Sequence, residues 1–136
     1  MISTLDRIRK YRETLADIQE IDIKVQELEE EMSEFNRKAK EEIIEANYKV
    51  TCDAGEAEKL KEKKEALYKL KANKKRELKR IENAMTILTE EEREIVQVVH
   101  IEHRRYYVVQ DKLNLSYQRI KQLEKQAAKK MEKYIS

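Results

Sequence analysis

The 136-residue chain has no proline and no tryptophan, and only one glycine, one cysteine and one phenylalanine. β-Rich folds of this size need frequent turn signals, so their near-absence argues for helix almost throughout. Cys52 alone cannot build an internal disulfide framework and fits a reducing compartment. No apolar run approaches the roughly 20 residues that span a bilayer, and the N-terminal MISTLDRIRK lacks the apolar core of a secretory signal. A cytoplasmic protein with no membrane contact is expected. What the chain has instead is charge, 43% of its residues, which leaves little material for a large core and suits long helices.

The charge is divided unevenly. The first 50 residues carry nine basic against thirteen acidic side chains, whereas the stretch from Arg104 to Ser136 carries nine against three. A basic surplus gathered in one terminal module is the electrostatic footprint expected of a nucleic-acid binder.

Apolar residues at Ile18, Ile21, Val25, Leu28, Met32, Phe35 and Ala39 alternate three and four apart, a heptad seam that drifts to Ile8 and Leu15 before it and to Ile43 and Val50 after it. A helix over most of residues 2–50 would be on the order of 70 Å long and needs a partner to cover that stripe. The segment TCDAGEAEKL holds the single glycine, and Asp53 followed by Glu56 has capping-box spacing. A turn is expected there. A second stripe follows at Leu60, Leu67, Leu70, Leu78, Ile81, Met85 and Leu88, interrupted near Lys74. An antiparallel helical hairpin over residues 1–88 is expected, serving a homodimer.

Thr89 and Glu92 repeat the capping-box spacing, so a new helix should start near Glu90. Its β-branched run, Ile95 to Ile101, is poor in helix propensity and good for core packing. His103 and Arg104 read as a corner, followed by a short helix from Arg105 to Leu113 with Tyr106, Val109 and Leu113 on one face. Asn114 can close that helix in the left-handed conformation, Leu115 can plug the core, and Ser116 can cap the next helix. This is helix-turn-helix grammar, and residues 89–136 form the expected module.

In the last helix, Ile120, Leu123, Ala127 and Met131 should pack inward, leaving Tyr117, Gln118, Arg119, Lys121, Gln122 and Lys125 facing out. Long donors near the start of a major-groove helix suit base edges: Arg and Lys grip guanine, and Gln grips adenine. Arg104, Arg105, Tyr107, Lys129 and Lys130, with Lys133 beyond them, suit phosphates, which add affinity without sequence information.

The segment EREIVQVVHIEHRRYYVVQDKLNLSYQRIKQLEKQAAKKM, Glu92 to Met131, resembles region 4 of bacterial sigma-70 factors. The resemblance rests on Glu92-Arg93, the LNLS corner at Leu113 to Ser116, and RIKQLEKQA from Arg119 to Ala127. It implies a module that reads duplex DNA and can rest on RNA polymerase. Gln110 replaces a small residue and Val99 a common arginine, so the family's base preference is not carried over. No sigma-like region precedes the module, and the hairpin-then-module plan is similar to short phage and prophage regulators of the ArpU and RinA type.

His100 and His103 are one helical turn apart, but too few ligands accompany them for a metal site. No phosphate loop, nucleophile-base pair or carboxylate pair stands out, so no enzyme and no cofactor is expected. The expectation is an all-α protein, a long helical hairpin or coiled coil followed by a three-helix module, acting as a DNA-binding transcriptional regulator. The alternatives are a factor that docks on RNA polymerase without reading bases, and a structural coiled-coil adaptor.

Overall fold

The computed structural model describes residues 3–46 and 54–135, and side chains over 3–38 and 55–135. The expected turn at Thr51 to Asp53 and the stripe position Val50 lie outside these, as do the side chains of Ala39 and Ile43. The described elements are all helical: α1 Thr4–Arg9, α2 Tyr11–Ala46, α3 Ala54–Met85, α4 Glu90–Ile95, a π-helical segment Val96–Ile101, α5 Tyr106–Leu113 and α6 Tyr117–Ile135. By contacts the chain forms two compact units, Met1–Ala16 together with Lys74–Ser136, and Asp17–Asn73. The division expected after residue 88 falls inside the first of these.

The Asp17–Asn73 unit is an antiparallel hairpin. Asp22 pairs with Lys71, and Glu29 pairs with Lys64 at 2.9 Å. Partner numbers thus fall by seven as residue numbers rise by seven. Ile18, Ile21, Val25 and Leu60 are buried along the seam, while Leu28, Met32, Phe35 and Leu67 are half-buried. One stripe position is corrected: Leu70 is 46% exposed, and Lys71 and Ala72 are half-buried beside it.

The other unit has two apolar clusters. Ile8, Ile81, Ala84, Leu88, Val96, Ile101, Ala127, Met131 and Ile135 form one, joining the start of the chain to both the end of α3 and the far half of α6. Ile95, Val98, Val99, Val109, Ile120 and Leu123 form the other, with Tyr106, Leu113 and Leu115 against it. The chain's start enters the first cluster because a break at Lys10 re-phases the helix. Thr14 is buried and Leu15 exposed, the reverse of the expected stripe.

The β-branched run lies between the clusters and is π-helical rather than α-helical. Glu102 donates its amide to the Gln97 carbonyl at 2.9 Å, five residues back. Val98, Val99, His100 and Ile101 are all buried in succession because Val96 and Ile101 face one cluster and Ile95, Val98 and Val99 the other. His103 then turns the chain with φ 58°, in the left-handed region that histidine enters more readily than most residues.

Candidate nucleic-acid interface

The helix-turn-helix is built from local signals that the structure uses as the sequence suggests. Thr89 and Glu92 form a complete capping box, Glu92 Oε1 accepting from the Thr89 amide at 2.9 Å and Thr89 Oγ1 from the Glu92 amide at 3.3 Å. Asn114 closes α5 at φ 55°, ψ 47°, and the Gln110 carbonyl accepts from the amides of both Asn114 and Leu115. Ser116 Oγ accepts from the Arg119 amide at 3.2 Å and so caps α6.

This frame turns one face of α6 outward. Tyr117, Gln118, Arg119, Lys121, Gln122 and Lys125 are all exposed, while Ile120, Leu123, Ala127 and Met131 are buried. Arg119 donates to the Gln122 side chain at 3.3 Å. Tyr117 meets Tyr106 edge to face, with ring centres 5.5 Å apart. Gln122, Lys125, Gln126 and Lys129 surround a shallow concavity of about 270 Å³ on this face; of these, Gln126 was missed by the sequence reasoning. Arg104, Arg105 and Tyr107 are exposed at the corner and on α5, with Arg104 3.4 Å from Glu102. Lys129 is exposed, whereas Lys130 donates at 2.7 Å to Glu92, which is buried. Burial pushes the Glu92 carboxyl up, but Lys130 and Thr89 outweigh it and hold it below the ordinary value.

Behind the exposed face lies a polar network that the sequence reasoning also missed. Glu124, on α6, is only 4% exposed, and His100, on the π-helical segment, is fully buried. His100 Nδ1 accepts from Arg9 Nε at 3.1 Å, so its proton sits on Nε2, 2.8 Å from Glu124 Oε2. The Tyr106 hydroxyl donates to the same oxygen at 2.6 Å, and Lys121 Nζ donates to Glu124 Oε1 at 2.9 Å. Burial alone would raise the Glu124 carboxyl, yet the bonds from His100, Tyr106 and Lys121 hold it at about 2. Lys121 is pushed the other way, above its ordinary range, by its bonds to Glu124 and Tyr106. Its ammonium also lies 4.8 Å from the centre of the Tyr106 ring.

One signal for this network was present in the sequence: Ile120, Glu124, Ala127 and Met131 also follow helical spacing, so Glu124 lies on the inward stripe. Its partners carried no such signal. Arg9 reaches His100 across 91 residues, and His103 Nε2 donates to the Arg9 carbonyl at 2.8 Å. Arg7 donates to the Ile135 carbonyl and Arg12 to that of Glu102, so the first turns of the chain are latched to the module by four separate bonds. His100 and His103 thus both hold Arg9, through its side chain and its carbonyl respectively, and only His100 reaches Glu124. Among the described residues no group of three or more His, Cys, Asp or Glu is placed to hold a metal ion, and no helix is long and apolar enough to cross a membrane.

Comparison with known proteins gives one match, between residues 84–133 and the family model for sigma-70, region 4. No curated protein and no solved structure matches the chain. The matched span begins in the last turn of α3 and takes in α4, the π-helical segment, α5 and nearly all of α6. With the capped corner and exposed helix face described above, residues 84–133 form a helix-turn-helix similar to sigma-70, region 4.

Proposed function

We propose that this protein is a transcriptional regulator, of phage or prophage type, that reads duplex DNA by placing α6 in the major groove. The observation that carries the reading is the capped start of α6 with its continuous outward row of long donors, inside a span that matches sigma-70 region 4. Arg119, Gln122, Gln118, Lys125 and Tyr117 are the base-reading residues. Lys121 joins them with its charge fixed and its direction restrained by Glu124 and Tyr106. Arg104, Arg105, Tyr107 and Lys129 meet phosphates. Lys130 adds charge there while also holding Glu92, so Lys129 is the cleaner test of a phosphate role. The hairpin pairs two chains in the cytoplasm, and the DNA site is two half-sites.

The test is selection of random duplex DNA by the full-length protein at about 50 and about 200 mM salt. An enriched motif with two spaced half-sites, bound more weakly at the higher salt, is expected. Arg119→Ala should cost roughly 1–3 kcal/mol and relax one base position, whereas Lys129→Ala should weaken all sequences alike and flatten the salt slope. No enrichment, with no binding even at low salt, would instead favour docking on RNA polymerase, the second reading that the sigma-like match supports.

A further inference from the structure

We propose that one face of the Asp17–Asn73 hairpin is self-complementary and takes a second copy of this chain, giving a four-helix arrangement. The inference deepens the dimeric reading above and rests on it for its purpose, though not for its test. Two antiparallel helices can bury only the stripe between them, and here that stripe is Ile18, Ile21, Val25 and Leu60. To one side of it Leu28, Leu67 and Leu70 floor an apolar groove of about 470 Å³, with Leu70 the most open of the three. Water on such a floor is unfavourable, and the groove runs between helices, where another hairpin can lie.

The rim says which occupant fits. Lys24, Glu27 and Glu31 border the groove on α2, and Lys63 borders it on α3. The Asp22–Lys71 and Glu29–Lys64 pairs fix the register, so Lys24 lies at the Leu70 end and Glu31 at the Lys63 end. Face-to-face pairing of two copies needs a two-fold axis in the plane of the face, and such an interface must match itself. An axis across the hairpin stacks α2 on the partner's α2 and brings Lys24 against the partner's Glu31. An axis along the hairpin stacks α2 on the partner's α3 and brings Glu31 against the partner's Lys63. Opposite charges meet in both arrangements and each pair occurs twice; the first also brings the two Glu27 carboxylates together near the axis, whereas the second sets Glu27 against the partner's Ala66 and forces no like pair over the apolar floor, so an axis along the hairpin is the better match. That Glu31 finds a lysine of the partner is the self-matching that a two-fold interface requires.

The experiment is sedimentation equilibrium of the full-length protein, with helicity followed by circular dichroism. The parent should be a dimer, and Leu70→Glu should be a monomer of unchanged helicity. Glu31→Lys, a surface change, should weaken association about tenfold or more through two symmetry-related sites. Adding Lys24→Glu should restore it if the axis runs across, and adding Lys63→Glu if it runs along. A parent that stays monomeric at about 100 µM, unchanged association in Glu31→Lys, or failure of both second changes to restore it would overturn the proposal. If Leu70→Glu loses helicity, the charge exchange decides alone. DNA titration of the same samples separates the two readings: a dimer that ignores DNA sinks only the proposed function, and a monomer that binds DNA sinks only the docking face.

Discussion

The two compact units treat their apolar side chains differently. In the unit that contains the helix-turn-helix, Ile8, Ile95, Val96, Val109, Ile120 and Met131 are fully buried, and even its interior histidine and glutamate have partners. In the hairpin unit Ile18, Ile21, Val25 and Leu60 are buried, while Leu28 and Leu67 are half-covered and Leu70 stands open. The difference is geometric. Several helical segments can surround a core, whereas two helices have only one shared face. The first unit encloses two apolar clusters and so fixes the outward row of α6; the second has a single buried stripe with open leucines beside it.

That contrast can be broken most severely at His100. Replacing it with Ala would empty a fully buried site and leave Glu124 with only Tyr106 and Lys121, at a cost of about 3–5 kcal/mol in urea unfolding from the cavity and the lost hydrogen bonds, and a variant as stable as the parent would show that the network contributes nothing net. Ile120→Ala should come next, at about 2–5 kcal/mol for a fully enclosed side chain. Leu67→Ala in the hairpin should cost clearly less, because its side chain is already half in water. Equal losses at the two sites would erase the distinction between the units.

Acid offers a finer probe. The Glu124 carboxyl lies at about 2 in the folded protein against an ordinary 4.5. A lowered value means that its stabilising contribution is complete above about 4.5 and disappears as the pH falls towards about 2. Unfolding midpoints measured across that window should fall steeply in the parent and less steeply in Glu124→Gln; parallel curves would assign the acid sensitivity elsewhere. The smallest effect is expected on the hairpin surface, where Asp22→Asn removes a half-exposed ion pair with Lys71 and should change stability by less than about 1 kcal/mol.

Much of the candidate interface was legible because its signals are short-range. The capping box at Thr89 and Glu92, the left-handed Asn114 and the Ser116 cap each involve residues within a few positions of one another, and each is where the sequence puts it. The outward row on α6 follows from the same helical arithmetic. Leu70 and Leu15 were misread because apolar character was followed where the three-and-four phasing runs through Lys71 and Thr14, and the run from Val96 to Ile101 was not read as π-helical. Periodicity cannot announce where it will be interrupted when packing, and not local propensity, causes the interruption.

The sequence by itself therefore determined the helical class, the hairpin followed by a three-helix module, and the face of the last helix that looks outward, since helix period and capping chemistry act over one or two turns. Only the tertiary structure decided that the first residues of the chain complete the module, that the β-branched run is enclosed by two clusters at once, and that His100, Tyr106 and Lys121 converge on Glu124 with Arg9 behind His100. Those outcomes depend on which distant surfaces meet. A buried carboxylate finds its partners through the packing of the whole module, and no spacing in the sequence records it.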